Sequence, residues 1–137
     1  MVLRDSAGHV IFAACRQLFH CRDTVDAELA ALEEGINLAL HWTPLPFVAE
    51  SDCAEARDLL KPQTPNTSVY AARVRNIREL CKERDVSLAR VDREANRVSH
   101  ELAKLDRVGP KTAVWLGIAP QKSMGKSLLI VTLSIFK

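Results

Sequence analysis

The chain has 137 residues, 47% of them hydrophobic and 26% charged, with a formal net charge of +2. That length and composition suit one globular domain with a modest core. Four cysteines without a CxxC pair argue against a tightly spaced zinc site, and the C-terminal apolar run Ser127 to Phe136 is about half the roughly 20 residues a membrane span needs. Charge is unevenly spread. Residues 1–69 hold 5 Lys/Arg against 10 Asp/Glu, and residues 70–137 hold 14 against 7. An acidic half facing a basic half suits a cation site beside a polyanion groove, and equally two solvated faces of opposite sign. The N-terminus carries no secretory signal pattern, and reduced thiols fit an intracellular protein with no membrane segment.

In chain order, Met1 to Arg4 reads as a strand. The turn chemistry of Asp5-Ser6-Ala7-Gly8 leads into a second strand from His9 to Arg16, with apolar residues on both faces. Asp23 or Thr24 caps a helix to about His41, whose stripe is Val25, Leu29, Leu32, Ile36 and Leu40. Pro44 and Pro46 close it. Phe47 to Ser51 is a short apolar strand, and Ala54 to Lys61 a short helix stopped by Pro62. A longer helix runs from about Ser68 to Glu83, a strand from Val86 to Val91, and a helix from Glu94 to Leu105. A hairpin followed by strand–helix alternation gives an α/β class, a mixed sheet flanked by helices.

Two acids carry the functional reading. Asp52 falls just past the carboxyl end of a strand, where ligands of open α/β sheets gather. Ser51 or Asp52 also suits a helix N-cap. Glu28 falls on the flank of the long helix's apolar stripe, where a carboxylate needs a partner, a proton or a metal, although an acid near a helix N-terminus also favours the dipole. Convergence of the two would offer hard oxygen donors for Mg²⁺ or Mn²⁺. Glu50 is expected to face solvent. Arg73, Arg75, Arg78, Lys82, Arg84, Arg90, Arg93 and Arg97 form a basic stretch able to track phosphates, with acids interleaved and few aromatics to stack bases.

The segments "DAELAALEEGINLAL", "VAESDCAEARDLL" and "ARVDREANRVSHELAKL", in that order, resemble the ribonuclease H-like domain of the plant reverse-transcriptase-like, retroelement-derived family. "VLRDSAGHVIFAAC" resembles its second and third strands. The resemblance spans residues 1–108 and leaves 109–137 as a C-terminal tail. It implies a ribonuclease H-like fold, two divalent metals, and cleavage of the RNA strand of an RNA–DNA hybrid, with no small-molecule substrate and no membrane. It matches Glu28 and Asp52 to metal-holding acids. His100 stands at a last-helix position where an acid is common, as a candidate catalytic group or an ordinary exposed histidine. Arg93, just before that helix, and Asn96 and Arg97 on it are the candidate nucleic-acid contacts.

The resemblance also implies a central first strand, between the second and the fourth, bearing the leading aspartate. The sequence begins at what resembles the second strand, so the chain is expected to be an impaired nuclease, a nucleic-acid-binding domain without turnover, or a truncated remnant. Residues 128–136 are the only spare segment with strand character. They either pair with the sheet, in the vacant slot, or form a loosely packed tail.

Overall fold

The computed structural model describes residues 1–5, 9–16, 20–62, 65, 67–91, 112–116 and 129–132. Its elements are β1 (Val2–Arg4), β2 (Val10–Arg16), α1 (Thr24–Trp42), β3 (Phe47–Ser51), α2 (Ala54–Leu60), α3 (Ala71–Glu83), β4 (Ser87–Arg90), β5 (Thr112–Leu116) and β6 (Leu129–Thr132). The helix expected over 94–105 lies outside the described residues.

Local chemistry sets most boundaries. Asp5 closes the β1–β2 hairpin: its Oδ1 accepts from the His9 backbone N–H at 2.9 Å, and its own N–H donates to the His9 carbonyl at 3.0 Å. Asp23 is the N-cap of α1, accepting from the Asp26 N–H at 2.9 Å. Asp26 in turn accepts from the N–H of Arg22, the residue before the cap, at 3.1 Å, so the two carboxylates together fix the chain's entry into the helix. α3 ends with Asp85 in the left-handed region, at φ 54°. The Val86 N–H then reaches back to the Cys81 carbonyl at 2.9 Å, closing the helix as a Schellman turn. The expected start of this helix at Ser68 is corrected: residues 68–70 form a turn, and regular helix begins at Ala71.

The strands form one sheet in the order β4-β3-β6-β1-β2-β5. β1 is antiparallel to β2 and to β6, β2 is antiparallel to β5, and β3 is parallel to both β4 and β6. One face carries Leu3, Phe12, Ala14, Phe47 and Ala49 against the α1 stripe (Leu29, Leu32, Ile36) and against Val74 and Ile77 of α3. Period-2 strands and 3.6-period helices thus meet on one buried layer. Val2 and Ala13, which point the other way, are also buried, as the apolar alternation on both faces of β2 implied.

Both described strands of the 109–137 segment join this sheet. β6 occupies the slot between β1 and β3, with Val2, Leu3 and Arg4 opposite Thr132, Val131 and Ile130, and Phe47 to Glu50 opposite Leu129 to Thr132. The loosely packed alternative is therefore excluded for 129–132. The position the resemblance assigned to a first strand is filled from the far end of the chain. A β-branched, uncharged segment suits a strand with neighbours on both sides.

Candidate acidic site

Asp52 sits on a stiffened strand end. The carbonyl of Ser51 receives the Val91 N–H at 3.4 Å and the Arg57 guanidinium. The hydroxyl of Ser51, a buried residue, accepts from the Cys53 N–H at 3.1 Å. Cys53 is the N-cap of α2, its Sγ accepting from the Ala56 N–H at 3.4 Å. The expectation that Ser51 or Asp52 caps this helix is corrected, because the turn places Cys53 one residue later at the cap. Asp52 is half-buried and stands one residue before that cap.

Glu28 is buried, 7% exposed, in the second turn of α1. α1 ends at Trp42 and β3 starts at Phe47, running back along the helix against which it packs. From Trp42 back to Glu28 is about 21 Å at the helical rise. From Phe47 to Asp52 is about 17 Å at the strand rise. Glu28 and Asp52 therefore lie at about the same level along the sheet, near the carboxyl end of β3, one on the helix layer and one just past the strand. β6 runs parallel to β3 toward that same end, and residues 129–137 include no Asp or Glu. Among the described residues no group of three or more His, Cys, Asp or Glu is placed to hold a metal ion.

Glu50 does not face solvent as expected. Its side chain is 18% exposed, and its Oε2 accepts from Arg4 Nη2 at 3.4 Å. Arg4 is on β1 and Glu50 on β3, so the pair reaches across β6. The sequence alone could not supply this partner, since β1 and β3 become near neighbours only around the inserted strand.

Much of the basic stretch holds the fold together. Arg73 binds Asp26 at 3.1 Å and Glu33 at 2.7 Å, tying α3 to α1. Arg78 donates to the carbonyls of Leu59 and Lys61, at 3.0 and 2.6 Å. Arg84 donates to the Thr43 carbonyl, and Lys82 pairs with Glu79 at 2.8 Å. Arg75 and Arg90 are exposed, and both line a groove of about 1030 Å³ between α2, α3 and β4, with Arg57, Lys61 and Cys81. Burial pushes the Cys81 thiol up to about 11. Arg93, Asn96, Arg97 and His100 lie outside the described residues.

Sequence reasoning missed two contributors. Arg57 fixes the strand end beside Asp52, and an arginine in the helix that follows an acid-ended strand was its available signal. Asp26, buried and paired with Arg73, gave no signal beyond its place in a first helical turn.

A mixed sheet of this order, with three helices and acids at one end, is a ribonuclease H-like α/β fold. The profile of the family described as reverse transcriptase-like matches residues 1–106, and the chain belongs to that family. No curated protein and no solved structure shows significant similarity to it. Membership makes the chain a ribonuclease H-like, nucleic-acid-related domain. No helix among the described residues is long and apolar enough to cross a membrane.

Proposed function

We propose that this domain engages RNA–DNA hybrid duplexes and cleaves their RNA strand slowly, with Glu28 and Asp52 holding Mg²⁺ or Mn²⁺. The observation that supports this most is the placement of the two acids at one end of the sheet, in a chain of this family. Their chemistry fits the ion. Two carboxylates from separate elements are hard donors, and Mg²⁺ retains several waters when protein ligands are few. When bound, such an ion would activate a water and stabilise charge on the phosphate under attack. The chain's own groups act on geometry: Arg57 and the Cys53 cap hold the strand end on which Asp52 sits, and α1 holds Glu28 in a buried position. His100, Arg93, Asn96 and Arg97 complete the proposal as groups of the following segment that meet the duplex.

A second reading, hybrid binding without turnover, is favoured by one feature: β6, beside β3 at this end, leads into a segment without carboxylates. The test is cleavage of a hybrid labelled on its RNA strand, with Mg²⁺, with Mn²⁺ and with chelator. Slow metal-dependent cleavage, abolished by Asp52→Asn and by Glu28→Gln, is expected. Duplex binding without cleavage in either metal would establish the second reading. Cleavage indifferent to both substitutions would overturn the assignment of the acids.

A further inference from the structure

The sheet is completed in its middle by β6, the last of the described strands. β6 has β1 on one side and β3 on the other, and it is tied covalently to the rest of the sheet through one connection, residues 117–128. β5, where that connection starts, lies three strand positions from β6. That separation is about 14 Å, whereas twelve extended residues reach about 40 Å. The connection is thus longer than closure within one molecule requires. The segment Leu129-Ile130-Val131-Thr132 has neither charge nor Gly or Pro, and its register is set on both sides by backbone ladders.

We propose that the channel between β1 and β3 is an exchangeable strand site, which holds residues 129–132 of its own chain and accepts the same segment from a second copy. Withdrawal of β6 would leave the facing edges of β1 and β3 unpaired, and unpaired strand edges are templates for another strand. A strand from a second copy restores every ladder bond in the same register, which is the usual condition for strand-swapped dimers. The strand's own tether sets the balance. A twelve-residue tether presents it at an effective concentration of about 1 mM, so the closed monomer dominates in dilute solution. Exchange emerges when the tethered strand is disabled or the protein is concentrated. This inference rests on the sheet order and is independent of any nuclease activity.

The test uses the full-length chain carrying Val131→Pro. Proline removes a backbone donor from a strand with neighbours on both sides. The probe is a fluorescein-labelled synthetic peptide of residues 126–137, a stand-in for the second copy's strand. The variant is expected to melt roughly 10 °C or more below the wild type, or to lose its sheet signal in circular dichroism. The peptide is expected to bind it saturably and restore the signal. Wild-type protein should bind the same peptide about a hundredfold more weakly, given a peptide affinity near 10 µM against a tethered competitor near 1 mM. A variant that melts like the wild type, or one that neither binds the peptide nor recovers with it, overturns the proposal. A second measurement addresses the partner. Val2→Cys with Thr132→Cys places thiols at facing positions of β1 and β6. After refolding at rising protein concentration and oxidation, mass spectrometry should find a growing share of the 2–132 cross-link between two chains. A cross-link confined within one chain at every concentration would rule out exchange between copies.

Discussion

Replacing Arg73 with methionine separates the two helices that cover the sheet. The arginine bridges Asp26 and Glu33 of α1 from its seat on α3, and no more than a third of any of the three side chains is exposed: 31% for Arg73, 9% for Asp26 and 22% for Glu33. Exposed pairs of this kind contribute about 0–1 kcal/mol. Removing one partner of a fully buried pair costs about 3–5 kcal/mol, because the other charge is stranded. Asp26 is nearly buried and Glu33 is not, so the loss should fall between those limits, at about 2 kcal/mol. Methionine keeps most of the stem's packing, which isolates the charge. For a chain of this size that is roughly an 8 °C fall in Tm, read by circular dichroism at neutral pH. The Asp26→Asn, Arg73→Met double variant should lose less than the sum of the single variants, since both act on one bond. A Tm within 2 °C of the wild type for Arg73→Met, or strict additivity in the cycle, would refute the network as the tie between α1 and α3.

Asp85→Gly should stabilise the protein by up to about 1 kcal/mol, because residue 85 closes α3 at φ 54°, where glycine carries no Cβ penalty; an unchanged or lower denaturation midpoint in urea would contradict this. A double-mutant cycle on Arg4→Met and Glu50→Gln should give a coupling of about 0.5–1 kcal/mol, and zero coupling would mean that the pair does not bridge β1 and β3 across β6. Tyr70 donates to Asp23 at 2.6 Å, which holds the Asp23 carboxyl below its ordinary value and pushes the Tyr70 phenol up to about 12. A lowered acid contributes stability that is lost as pH falls through its folded pKa, and a raised phenol contributes stability that is lost as pH rises from 10 to about 12. The stability gap between wild type and Tyr70→Phe should therefore be widest between these limits and narrow on both sides; a gap constant from acid to alkaline pH would exclude the bond as its source.

The readable parts of the sequence were those fixed by neighbours in the chain. The stripe through Leu29, Leu32 and Ile36 located α1, Asp23 located its cap, and the apolar run to Ser51 located β3, each within a residue or two. Strand character was also visible in residues 128–136. What surrounds that strand was legible only as one of two alternatives, the vacant slot or a loose tail, because strand pairing is chosen by the whole sheet and not by local pattern; the slot is the one the structure shows. The same limit explains Glu50, whose partner on β1 is 46 positions away. It also explains the basic stretch: alternation of Arg and Glu along α3 suggests a solvated phosphate-binding face, while Arg73, Arg78 and Arg84 are committed to acids and carbonyls distant in the chain. The elements that carry Glu28 and Asp52 were readable, and the common level of the two residues along the sheet followed only once β3 was seen to run back beside α1.

A sheet whose middle strand follows its other described strands in sequence has a consequence for its synthesis. At about 5–20 residues per second, the segment that must lie beside β1 leaves the ribosome roughly 6–25 s after β1 itself. Throughout that interval β1 and β3 cannot acquire the strand that lies between them, whatever else has formed. A helical domain assembles from contacts close in sequence, whereas here the central pairing joins Val2–Arg4 to Ile130–Thr132, far apart in sequence, which slows folding and prolongs exposure of apolar edges to other molecules. Premature termination near residue 128 would therefore not trim a tail. It would remove the strand on which both halves of the sheet close.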